Sequence, residues 1–213
     1  MDNIKRTPRF IWITVIALST IGIVMVIRRT LNLVGVLPSY NPAGGRPFDE
    51  SFSRHPVITF IHMLPGVIFL VLGPLQFNKG LRARHIRLHR WLGRVYIGAA
   101  YLIGISALVM SFGMAIGGLN ETAATVLFDI FFLVAITRAL LYILKGNTVL
   151  HREWMLRAFA IGLAIATIRP IMGLFFAFSG LQPQVFFGTA FWIGFTLHMI
   201  AAEIWINYTS ARD

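Results

Sequence analysis

The sequence predicts an all-α protein: a polytopic membrane helix bundle of six transmembrane helices with both termini in the cytoplasm. Three observations carry this expectation. Of the 213 residues 57% are hydrophobic and 13% charged, against roughly 25% charged in an ordinary soluble domain. Six apolar runs each approach the ~20 residues that cross ~30 Å of hydrocarbon at ~1.5 Å per residue. The basic residues gather in short tracts between alternate runs, as the positive-inside rule requires.

The first run, 10–27, follows Lys5, Arg6 and Arg9 and is closed by Arg28 and Arg29. No small-x-small cleavage site separates them, so it reads as a retained helix and not a signal peptide. Residues 30–55 are rich in Gly, Pro, Asn and Ser and read as a loop with a short interfacial helix. Five further spans follow at 56–77, 91–114, 122–144, 154–178 and 185–208. Basic loops at 78–90 and 145–153 and short turns at 115–121 and 179–184 join them. The chain thus divides into 1–55, a first helix with its extracytoplasmic loop, and 56–213, a five-helix membrane domain.

Orientation follows from the Lys and Arg count. One side collects thirteen of nineteen, among them Lys79, Arg82, Arg84, Arg87, Arg90 and Arg94 between spans two and three. The opposite side holds Arg28, Arg29, Arg46 and Arg54, and two lie inside spans. The richer side is expected to be cytoplasmic, placing the chain in the cell inner membrane, with anionic lipid facing the basic loops. Tyr40, Trp91, Tyr96, Trp154 and Tyr208 fall mostly near the expected interfaces.

Composition also excludes. The net charge of +11 is spread between apolar runs, so no soluble basic domain exists to bind nucleic acid. Absence of cysteine removes disulfides and thiolate metal sites. There is no Gly-x-Ser-x-Gly elbow, His-Glu-x-x-His pair, Walker loop or carboxylate cluster for hydrolysis. Met63 and Met199 adjoin His62 and His198, but neighbours on a helix point about 100° apart, so core packing and no metal site is expected.

Two stretches read alike: Leu88-His89-Arg90-Trp91 and Leu150-His151-Arg152-Glu153-Trp154. Each opens an inward-to-outward span, so spans two–three and four–five read as two copies of one hairpin. A core of those four helices would set His89 and His151 at similar depth. The plainer reading is that Arg and Trp simply recur at interfaces.

Charges within spans cost roughly 2.5–3.5 kcal/mol each on insertion scales, so they normally face the bundle interior. In the outer half stand His62, Asp129 and Arg169, roughly 9–14 Å below the surface. An Asp129–Arg169 ion pair is expected there, with His62 nearby, acting as structural glue or as a relay. Pro170 is expected to open the helix beside it. In the inner half stand Arg138, His198 and Glu203, and Glu203 is the acid available to Arg138. Arg138 could instead snorkel to the interface.

Three function classes remain. A redox protein could bind at most one b-type haem through His89 and His151, with Arg90 and Arg152 for the propionates. A second haem lacks a histidine pair, because His55 and His62 share one helix. A small transporter would use the polar groups around a cavity, favour an anionic or carbonyl-bearing substrate through Arg138 and Arg169, and need a homo-oligomer. An accessory or assembly protein would use them for packing alone.

The stretches His62-Met63-Leu64-Pro65-Gly66, Gly73-Pro74-Leu75-Gln76-Phe77 and His89-Arg90-Trp91-Leu92-Gly93-Arg94-Val95-Tyr96 resemble the domain-of-unknown-function 2306 family of bacterial membrane proteins. His151-Arg152-Glu153-Trp154-Met155-Leu156-Arg157 and Arg169 extend the resemblance over roughly 55–207. It implies membership and topology and no activity. The paired His-Arg hairpins are also remotely similar to cytochrome b561-type helical cores, which implies a haem. Single cysteines test the topology: one at Gly118 is expected to be labelled only from the periplasm, one at Asn147 only from the cytoplasm. The reverse labelling would invert the bundle.

Overall fold

The computed structural model describes residues 8–38 and 50–210. Among them are eight helices: α1 Arg9–Leu33, α2 Glu50–Arg54, α3 Pro56–Gln76, α4 Lys79–Arg84, α5 Ile86–Gly113, α6 Gly118–Leu144, α7 Thr148–Phe178 and α8 Pro183–Ser210. The six long ones are long and apolar enough to cross a membrane. They coincide with the six expected spans. Of the residues weighed above, Lys5, Arg6, Tyr40, Arg46 and Arg212 lie outside the described residues.

The helices outrun the apolar runs that announced them. Hydropathy marks what lipid covers, whereas a helix continues until a cap or a left-handed residue ends it. Gly146, at φ 76°, closes α6 in a Schellman motif. Its N–H reaches the Ile143 carbonyl at 3.1 Å, and the Asn147 N–H reaches that of Tyr142 at 2.9 Å. Asn147 then caps α7 at once, its Oδ1 accepting from the Leu150 N–H at 3.0 Å. The expected loop 145–153 therefore shrinks to a tight turn.

The loop 78–90 is likewise mostly helical. Asn78 Oδ1 accepts from the Leu81 N–H at 3.1 Å and starts α4, and α5 begins directly after His85. His89 and His151 each become the fourth residue of a helix. At the other end, α1 continues past Arg28 and Arg29, and the Arg29 guanidinium stands 3.5 Å above the Phe52 ring of α2. Helix α7 runs unbroken through Pro170, where an opening was expected. Pro there removes one hydrogen-bond donor but leaves the flanking turns paired.

Helices α3 and α5 pack as one hairpin and α6 and α7 as another, with α5 against α6. Helix α8 lies along α6 and α7, and α1 lies along α3 and α7. Phe69 is the hub of the core. Its ring stacks on Tyr96 of α5 at 4.6 Å and meets Phe132 of α6 at 5.8 Å and Phe159 of α7 at 5.9 Å.

Helices α3 and α7 close on each other through exchanged aromatics. The Phe69 ring occupies the space a Cβ would take at Gly162, and the Phe159 ring fills the same space at Gly73. Such close approach drives helix association in lipid, where burial of apolar surface between helices gains little. Gly162→Ala is therefore expected to cost about 1–3 kcal/mol through overpacking against Phe69. Phe69→Leu in the same chain should recover part of it. Thermal melting in mild detergent reads both variants. Equal melting of Gly162→Ala and the parent would show that the notch is not needed.

Candidate functional site

The basic end of the bundle gathers His89, His151 and a set of cations. His151 stands within electrostatic reach of His89, as do Arg82 and Arg90. His151 Nδ1 lies 2.8 Å from the Ala139 carbonyl of α6, so it is the nitrogen that carries the proton and Nε2 is left as the acceptor. His89 Nδ1 is buried and has no hydrogen-bond partner among the described residues. The two histidines expected at similar depth thus stand within electrostatic reach of each other.

Below His89 on the same face of α5 come Gly93 and Tyr96, at i+4 and i+7. Gln76, the last residue of α3, lies against Gly93, where a Cβ would stand 3.3 Å from its Oε1. Gln76 Nε2 and the Tyr96 hydroxyl are also buried without a partner among the described residues. Three orphaned polar atoms thus share one column about 10 Å tall. Buried polar atoms in native proteins are normally bonded, so an ordered water or a polar ligand would complete these. Gln76, Tyr96 and Arg82 were not singled out from sequence as site residues. A glutamine inside an apolar span was the available signal.

The arginines divide. Arg90 stays with His89. Arg152 turns toward α8, its guanidinium 3.3 Å from Thr209 Oγ1, because neighbouring residues on a helix point about 100° apart. Arg157 holds Glu203 with two hydrogen bonds, Nε to Oε1 at 2.6 Å and Nη2 to Oε2 at 2.9 Å. The acid expected to serve Arg138 is therefore taken by Arg157. Arg138 is exposed and places its guanidinium 5.1 Å from the Trp154 ring centroid, while that of Arg157 stands 4.8 Å from the same ring. Arg138 thus satisfies its charge over an aromatic face and at the interface.

The outer group does not form as expected. No ion pair joins Asp129 to Arg169 among the described residues. Arg169 acts electrostatically on Glu121, two turns nearer the far end of α6, and not on Asp129. Glu121 in turn accepts the Gly117 N–H at 2.7 Å. Asp129 is buried beside Gly104 of α5, and its Oδ2 has no partner among the described residues. His62 is apart from both, with Nδ1 3.0 Å from Ser106 Oγ. His198 Nε2 lies 2.7 Å from Thr167 Oγ1 of α7. These histidines tie one helix to the next.

The family described as "Predicted membrane protein (DUF2306)" matches residues 59–206. The chain belongs to that family. The match runs from the first turn of α3 to the last turns of α8, so the whole basic-end column lies within the DUF2306 region and α1 outside it. No protein of curated function and no solved structure matches the chain.

Two substitutions separate paired from unpaired intramembrane charge. Glu203→Gln leaves Arg157 without its carboxylate and is expected to cost about 1–3 kcal/mol. Asp129→Asn replaces an uncompensated carboxyl by a neutral amide of the same shape and is expected to leave the melting temperature in detergent unchanged or raised. A fall with Asp129→Asn as large as with Glu203→Gln would show that Asp129 balances a cation.

Proposed function

We propose that this DUF2306 protein is a membrane redox protein holding one b-type haem at its basic end, between His89 of α5 and His151 of α7. The observation that carries the reading is a pair of imidazoles within electrostatic reach of each other, one oriented through the Ala139 carbonyl at 2.8 Å. Backbone anchoring of Nδ1 is how a liganding histidine is commonly fixed, leaving Nε2 for the iron. A bound haem would supply one-electron chemistry.

The donor set suits that group. Two neutral nitrogens serve as axial ligands, and no cluster of three or more metal-binding side chains among the described residues competes with them. Arg82 and Arg90, within electrostatic reach of His89, would neutralise the propionates. Gln76 and Tyr96 offer unpaired polar atoms toward the same space. Arg152, bonded to Thr209, would take no part. A second haem finds no support, since His62 and His198 are each engaged with a hydroxyl on a neighbouring helix.

Position supports exchange with a water-soluble partner. Helix α7 has 31 residues, about 46 Å, whereas the hydrocarbon is ~30 Å thick. His151, in its first turn, then lies at headgroup depth. We read this end as cytoplasmic from its charge. The transporter reading draws less support, because the polar groups elsewhere bind one helix to another.

The test is the visible spectrum of the purified protein, air-oxidised and dithionite-reduced, after expression with haem supplied. A Soret band with sharp α and β bands on reduction is expected, lost in both His89→Ala and His151→Ala and kept in His62→Ala and His198→Ala. A flat spectrum in the folded parent would remove the redox reading.

A further inference from the structure

A cavity of about 130 Å³ opens at the basic end between α1, α3, α4, α7 and α8. It shares no histidine with the column described above. Its walls are apolar: Ile11, Trp12 and Val15 of α1, Pro74 and Phe77 near the end of α3, and Leu156, Phe159 and Trp205. Three cations also line it, Lys79 and Arg82 of α4 and Arg152 of α7. The pocket thus joins apolar walls to a cluster of positive charge.

Among the described residues these three charges have no acidic partner. Arg157 is paired with Glu203 and stands 4.0 Å from Glu153, so the nearby acids are committed. Arg152 is nonetheless held in place, both terminal nitrogens lying 3.3–3.4 Å from Thr209 Oγ1, itself bonded to the Trp205 carbonyl at 2.9 Å. A guanidinium held by Thr209 beside two further cations suits a multiply bonded oxyanion. The walls call for hydrocarbon attached to that anion, at the depth where spans leave the bilayer.

We propose that this cavity is a specific site for one anionic phospholipid, its phosphate held by Lys79, Arg82 and Arg152 and its first acyl carbons lying against Trp12, Val15 and Trp205. Helix α1 supplies one wall, which gives this helix, outside the family match, a definite task. Neither His89 nor His151 lines it, and Arg82 is the one residue that it shares with the proposed haem site.

Native mass spectrometry of the full chain in mild detergent tests this, with phosphatidylglycerol and phosphatidylcholine offered at equal concentration. One phosphatidylglycerol per chain should be retained in preference to phosphatidylcholine. Lys79→Gln and Arg152→Gln should each lower that retention about fivefold. Arg84→Gln and Arg87→Gln, basic residues away from the cavity, should leave it unchanged. Val15→Trp, which fills the cavity without altering charge, should abolish it while the melting temperature shows the chain folded. Equal retention of both lipids, or a loss as large with Arg84→Gln as with Arg152→Gln, would overturn the site. Displacement of the lipid by equimolar inorganic phosphate would also overturn it, showing a plain anion site to which the walls add nothing. The visible spectrum of Lys79→Gln, unchanged from the parent, keeps this result separate from that of the histidine pair.

Discussion

The exchange of aromatic rings between α3 and α7 is the contact on which the bundle depends. Lipid tails are as apolar as leucine, so helices in a membrane gain little by hiding apolar surface from one another. They must gain by fit. Glycine at 73 and 162 lets Phe159 and Phe69 sink into the opposite helix, and Phe69 then carries Tyr96 and Phe132 on its other faces. One ring links four helices. The relative heights of α5 and α7, and hence of their histidines, follow from that shared layer.

Polar groups add directionality to the same framework. Without water in the hydrocarbon, a polar side chain must find its partner within the protein. His62 finds Ser106, His198 finds Thr167, Arg157 finds Glu203, and Tyr101 finds Thr137 at 2.9 Å. Each joins two different helices, so each fixes a rotation that packing alone leaves loose. What is left unpaired is then informative. The orphaned atoms of Gln76, His89 and Tyr96 share the basic end, and Asp129 stands apart.

The spans were legible in the sequence because hydropathy and length are one-dimensional properties. The place of His89 and His151 at one end of the bundle was legible too, because each stands beside a basic tract and opens a long helix. Partner choice was not. Depth alone made Asp129 and Arg169 candidates for each other, but depth says nothing of rotation about a helix axis, and Arg169 faces Glu121 instead. Glu203 went to Arg157 for the same reason, and Arg138 found an aromatic face that no count of acids foretells. The helical content of the basic loops was hidden because caps such as Asn78 and Asn147 are single residues inside strongly charged stretches.

Arg82 belongs to two neighbourhoods at once: it lines the cavity beside α1, and its charge is felt at His89. A guanidinium so placed is a common terminal between them. An anion settling in the cavity mutes the field that Arg82 casts on the imidazole, and any change of charge at the imidazole alters how strongly the cavity draws anions. Because free energy is a function of state, the two influences are equal in size whichever is applied first. With both proposed sites occupied, membrane composition and the state of the histidine pair would be mutually readable through one side chain.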